Sequence, residues 1–150
     1  YKSILKLKSS ESFNETYYII KLLCLCNNII DSDLSFALIL IYSEFFENLI
    51  TYFSKHLKNR TIVESFLDTF IRLFGYFNKN IADNLYKRGI IFDGIFSELL
   101  CGCQNNIYSF NKETIYKMAK IISDYLHIIH STSKYTREDY VLFTNFKEFL

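Results

Sequence analysis

Three groups of residues in this 150-residue chain have the types and spacing to do chemistry. Asp124, His127 and His130 recur every three residues. That spacing brings a carboxylate and two imidazoles toward one helical face, as a metal or proton-transfer site needs. Cys24/Cys26 and Cys101/Cys103 are Cys-x-Cys pairs, the arrangement that invites zinc. Lys87-Arg88 stands beside Gly89 at a turn, where two cations can reach a phosphate. A plainer reading weighs more in each case. Helical residues two apart diverge by about 200°, so neither cysteine pair grips one ion without unwinding. Buried or half-buried thiols are expected instead, in the reducing interior of a cell. The histidines read as a polar helix end before the Ser131 loop, and Lys87-Arg88 as a solvated turn. No serine or cysteine has a readable base and orienting acid, and the four scattered glycines build no phosphate loop. The chain is read as a non-enzyme that needs no cofactor or metal.

Composition points to the elements that must carry any site. Half of the residues are apolar and there is no proline, no tryptophan and little glycine, so long helices are expected rather than a sandwich or barrel. The net charge of +1 argues against a nucleic-acid partner. Twelve tyrosines and fifteen phenylalanines without a basic excess read as core rings rather than base-stacking platforms. The longest uncharged apolar stretches, 22–30 and 34–43, fall short of the roughly 20 residues that span a bilayer, so no membrane insertion is expected. No signal-peptide pattern is visible, and cytoplasm or nucleus is the expected location. The chain starts at Tyr1 and ends in the apolar pattern Phe143, Phe146, Phe149, Leu150, as a piece cut from a longer array would.

The apolar spacing is helical nearly throughout. Ser12-Phe13-Asn14-Glu15 and Thr61-Ile62-Val63-Glu64 read as capping boxes opening two long helices, and a third long helix starts near Asn111. The three superimpose at an offset of 48 residues, in the columns Ile19/Leu67/Ile115, Leu22/Phe70/Met118 and Leu25/Leu73/Ile121. What lies between them repeats at 47, in Leu34/Ile81, Leu38/Leu85, Leu49/Phe96 and Phe53/Leu100. The unit is a short helix, a tight turn, a medium helix, a polar loop and a long helix. Segments 54–60 and 102–111 are the polar loops, the second expected to be the most flexible part of the chain. A period in the forties predicts a right-handed α-solenoid of about three armadillo/HEAT-type three-helix repeats. Its units are approximately 1–30 (partial), 31–77, 78–126 and 127–150 (partial).

The stretch from Leu73-Phe74-Gly75 through Asn78-Lys79-Asn80, Leu85-Tyr86-Lys87-Arg88-Gly89-Ile90-Ile91 and on to Leu99-Leu100 resembles an armadillo repeat. The nearest family it suggests is importin α, the nuclear import adaptors. The resemblance implies a concave face of long third helices, each offering a tryptophan and, four residues on, an asparagine that clamps an extended peptide. The tryptophan positions hold Leu23, Ile71 and Ala119, and the asparagine positions hold Asn27, Gly75 and Ser123. Asn27 alone keeps the pattern.

Helical spacing adds Glu64, Asp68, Arg72 and Tyr116 to Leu23, Asn27, Ile71, Ala119 and Ser123 as groove candidates. Glu64 and Asp68 share a face and suit a basic residue. The expected function is protein–protein interaction, with an extended peptide along the groove; the resemblance implies a basic nuclear-localisation signal as that peptide and an import receptor as second partner. The alternative is a compact helical-bundle regulator of the viral Bcl-2 kind. It would enclose one central helix and offer a groove to an amphipathic partner helix.

Overall fold

The computed structural model describes residues 13–130 and 137–149. Among them the fold is all-α: α1 (Phe13–Ser32), α2 (Leu34–Ile41), α3 (Glu44–Lys55), α4 (Arg60–Phe74), α5 (Lys79–Lys87), α6 (Asp93–Gln104), α7 (Lys112–His130) and α8 (Arg137–Phe149). The chain divides into two units, residues 1–76 and 77–150. Both contain the order short, medium, long: α2, α3, α4 in the first and α5, α6, α7 in the second.

Side chains that satisfy the free N–H groups of each first turn start most of these helices. Asp33 accepts from the Ser35 N–H at 3.0 Å, Asn78 from Ile81 at 2.9 Å and Asn111 from Thr114 at 2.8 Å. The capping box expected at Ser12 starts outside the described residues. The one expected at Thr61 is corrected: Asn59 is the cap, accepting from the Ile62 N–H at 3.2 Å, and Glu64 pairs with Arg60 at 2.8 Å instead of reaching back. Asparagine caps as well as threonine does, and it stands two residues earlier. At the other end of α5, Gly89 takes φ 76°, and the N–H groups of Gly89 and Ile90 close the helix on Tyr86 O and Leu85 O.

In the first unit α1 packs on α4 and α2, and α3 bridges α2 and α4. Phe53 stacks on Phe66 with ring centres 4.8 Å apart, and meets Phe70 edge-on at 5.3 Å. In the second unit α8 packs on α6 and α7, and α5 packs on α7. Phe92, Phe96 and Tyr125 form a ring cluster with centres 5.4–5.6 Å apart. These rings fill the cores, as their spacing implies, whereas Tyr17, Tyr18, Tyr42, Tyr86, Tyr116, Tyr140 and Phe143 are exposed. The expected boundary after residue 126 does not interrupt the chain, because α7 continues to His130.

The repeat is visible in burial, with one shift of register. At an offset of 48, Phe66/Thr114, Phe70/Met118, Leu73/Ile121 and Phe74/Ile122 are buried in α4 and α7 alike. Between α1 and α4 the offset is 47, not 48: Glu15/Ile62, Ile19/Phe66, Leu23/Phe70 and Cys26/Leu73 are the buried pairs. Leu25, expected in the core column, is 55% exposed. One residue is about 100° of helix rotation, enough to move a side chain from core to solvent. The short helices also depart from the expected 47, since Leu38 is exposed while Leu85 is buried. They match at 44, through Ala37/Ile81 and Ile41/Leu85.

The loop after α6 is anchored rather than loose. Both Ile107 and Tyr108 donate backbone N–H groups to the Gly102 carbonyl, at 2.8 and 3.1 Å, and the Tyr108 ring is buried. Among the described residues no single helix is long and apolar enough to cross a membrane. Each described helix shows some residues to solvent.

Candidate functional site

The groove candidates meet different fates. Leu23 is corrected: at 1% exposure it belongs to the core, because the true register gives it the place of Phe70 rather than of Ile71. Asn27 faces the neighbouring helix, where its Oδ1 accepts from Thr69 Oγ1 at 2.8 Å. Arg72 pairs with Asp31 at 3.0 Å and donates to the Asp68 carbonyl, so it also knits α1 to α4. Glu64, Asp68 and Ile71 are half-buried along one stripe of α4. On α7, in the other unit, Tyr116 and Ser123 are exposed and Ala119 is half-buried. The corrected register puts Cys24 and Asn28, both exposed, at the α1 positions equivalent to Ile71 and Gly75.

The remaining candidates do not assemble a metal centre. Asp124 is paired with Lys120 at 3.2 Å and the His130 ring meets Phe143 edge-on at 5.3 Å. No metal-holding group of three His, Cys, Asp or Glu occurs among the described residues. Cys24 is exposed and Cys26 buried, the opposite directions that helical spacing demands. Burial pushes the Cys26 and Cys103 thiols up, away from the thiolate that reacts or binds metal.

The most chemically developed place in the chain lies within the 77–150 unit and escapes a reading by motif. Asp93 opens α6 and Asp139 lies in the first turn of α8. The two helices pack, and the two carboxyl groups hydrogen-bond to each other although only 2% and 4% of each residue is exposed. Two carboxyls can hydrogen-bond only by sharing a proton. Asp93 is the holder: burial, then the bond to Asp139 and the charges of Asp139 and Glu138, raise its pKa to about 8. The Tyr125 hydroxyl donates to Asp93 and works the other way. Its own ionisation is pushed far up, by burial and then by the Asp93 charge. Each acid stands in the first turn of its helix, where the positive end favours the negative charge left on the pair.

Above the pair is a cavity of about 180 Å³. Leu85, Tyr86, Ile90, Ile91 and Ile129 make an apolar wall, with Asp93, Asp139 and Tyr125 as the polar part of the lining. Oδ1 of Asp93 has no hydrogen-bond partner among the described residues. In sequence each acid reads as an ordinary first-turn carboxylate. Separated by 46 positions, they carry no spacing signal that a motif search could find. Comparison with protein families, with curated proteins and with solved structures finds no match for this chain.

Proposed function

We propose that this chain is a protein-interaction scaffold of the armadillo/HEAT α-solenoid type that holds an extended peptide along its long helices. The observation that supports the reading is the recurrence of burial at 48 residues between α4 and α7, with the same short, medium, long helix order before each. A repeated core face entails a repeated solvent face, and a regular row of side chains suits an extended partner. In this reading each unit offers its own row: Ile71 on α4 and Gly75 at its end, with Cys24 and Asn28 on α1, in the first, and Ala119 and Ser123 on α7 in the second. Asn28, rather than Asn27, supplies the main-chain clamp. Glu64 and Asp68 favour a basic residue in the peptide, which makes a nuclear import adaptor, at work in cytoplasm and nucleus, the specific form proposed.

Fluorescence anisotropy with a labelled lysine- and arginine-rich peptide tests this. Saturable binding is expected, weakened at least about tenfold by Asn28→Ala or by Glu64→Gln with Asp68→Asn. Binding no stronger than that of an acidic peptide of equal length overturns the import form. Failure of every extended peptide in a varied library overturns the scaffold.

A further inference from the structure

The cavity over Asp93 and Asp139 belongs to one unit and needs no repeat to be interpreted. Its chemistry is unusual for a core. A buried carboxyl pair normally loses stability unless every lone pair is satisfied. Here Oδ1 of Asp93 is left with no partner among the described residues, in a residue 2% exposed that lines the cavity. The opposite wall is aliphatic and aromatic, and Tyr86 and Ile91 are about half exposed, so the cavity has a mouth. A dry apolar cavity of about 150 Å³ takes a molecule the size of benzene. The 180 Å³ here therefore accommodates a small headgroup with a short stem.

We propose that this cavity is a binding site for a cationic headgroup, ammonium or guanidinium, carried on a short apolar stem. The headgroup donates to Oδ1 of Asp93, and the stem lies against Leu85, Ile90, Ile91 and Ile129. A charge-assisted bond to a buried carboxylate satisfies the orphan acceptor, and the apolar wall covers the methylenes. An anion is excluded by Asp93, Asp139 and Glu138. A neutral apolar ligand leaves Oδ1 unsatisfied. The same headgroup comes from two sources, the side chain of a partner protein's arginine or lysine, or a free small amine. As the cation arrives, the proton shared by the pair passes to solvent, so one charge enters as one leaves. The groups that face this exchange are Asp139 and Glu138 on α8, Tyr125 on α7 and Asp83 on α5. Arg137 lines a second depression that shares Asp93 and Glu138 with this cavity.

The test is a titration of the full chain with n-butylguanidinium chloride, followed by amide chemical shifts and calorimetry, with n-butylurea as the neutral isostere. The expected result is saturable binding of the cation alone, with shifts at Asp93, Tyr125 and Ile129. Affinity increases as pH is raised, by up to about tenfold per unit until about pH 8, with one proton released. Asp93→Asn keeps a donor for Asp139 and an acceptor for Tyr125, and it weakens binding at least about tenfold. Ile91→Ala, at the exposed mouth where folding is safe, weakens n-butylguanidinium several-fold while leaving methylguanidinium unchanged. The short peptide acetyl-Gly-Arg-Gly-amide separates the sources. Binding at least as tight as the free cation assigns a partner's side chain, and binding of the free cation alone assigns a small amine. Equal binding of the urea and the cation, unchanged affinity in Asp93→Asn, or no saturable binding overturns the proposal. Binding that appears only after Arg137→Ala also overturns it, because the chain's own arginine then occupies the acid.

Discussion

The ring of Tyr108 occupies the space in which a side chain on Gly102 would have to begin. A Cβ built on Gly102 overlaps Cδ2 and Cε2 of that ring, while the Gly102 carbonyl accepts from the Tyr108 N–H at 3.1 Å. The glycine thus lets the chain after α6 fold back and seal the helix end with an aromatic lid. The hydroxyl of that ring sits near Glu98, and burial followed by the Glu98 charge pushes its ionisation up.

Gly102→Ala is expected to destabilise the protein by about 1–3 kcal/mol, since the ring must leave or the backbone must shift. Chemical denaturation measures the loss. Tyr108→Ala in the same background should recover most of the clash, so a double-mutant cycle reports strong coupling. Additive effects would contradict the close approach.

The helix caps give a sharper contrast. Asn59→Ala is expected to cost about 1 kcal/mol, because the Ile62 N–H loses its acceptor. Thr61→Ala, at the position the sequence pattern suggests as the cap, should change stability by less than about 0.5 kcal/mol. Denaturation midpoints of the two variants decide which residue starts α4.

Register in α1 is tested by a pair two residues apart. Leu23→Ala is expected to cost about 2–5 kcal/mol and Leu25→Ala no more than about 0.5 kcal/mol. The reverse order would restore the 48-residue alignment of the first helix and with it Leu23 as a groove residue.

The Asp93 proton makes stability depend on pH in an unusual direction. Its carboxyl binds a proton up to about pH 8 in the folded chain and only near the ordinary value of 3.8 when unfolded. Between those values the folded state holds more protons, so this group's contribution falls as pH rises. The slope is at most about 1.4 kcal/mol per pH unit, and the contribution is fully present below about pH 4. Asp93→Asn removes the dependence. The variant should match the wild type near pH 4 and become progressively more stable than it toward pH 8, as measured by urea denaturation across that range.

Helix identity was legible because it depends on local facts. Apolar residues three and four apart, the absence of proline, and Asn78, Gly89 and Asn111 at the ends suffice to place α5 and the start of α7, whereas α6, expected over 90–100, runs Asp93–Gln104. The 48-residue repeat between α4 and α7 was legible for the same reason, since both helices alternate clearly between apolar and polar faces. In α1 the run Tyr17-Tyr18-Ile19-Ile20 and Leu22-Leu23-Cys24-Leu25-Cys26 is apolar all round. Several registers bury equal amounts of it, and the amino-acid types cannot choose among them. Contact with α4 makes the choice, through Asn27 against Thr69 and Asp31 against Arg72.

The sequence by itself determined the class of fold, the helix order and the absence of a legible catalytic motif, all of which follow from periodicity and residue type. Only the tertiary structure decided which face of α1 is core and that the polar loop after α6 is tied down at Gly102. It alone brought Asp93 and Asp139 into one hydrogen bond. Those facts depend on contacts between residues far apart in the chain, and the energy of a buried carboxyl or an overlapping Cβ exists only once those neighbours are in place.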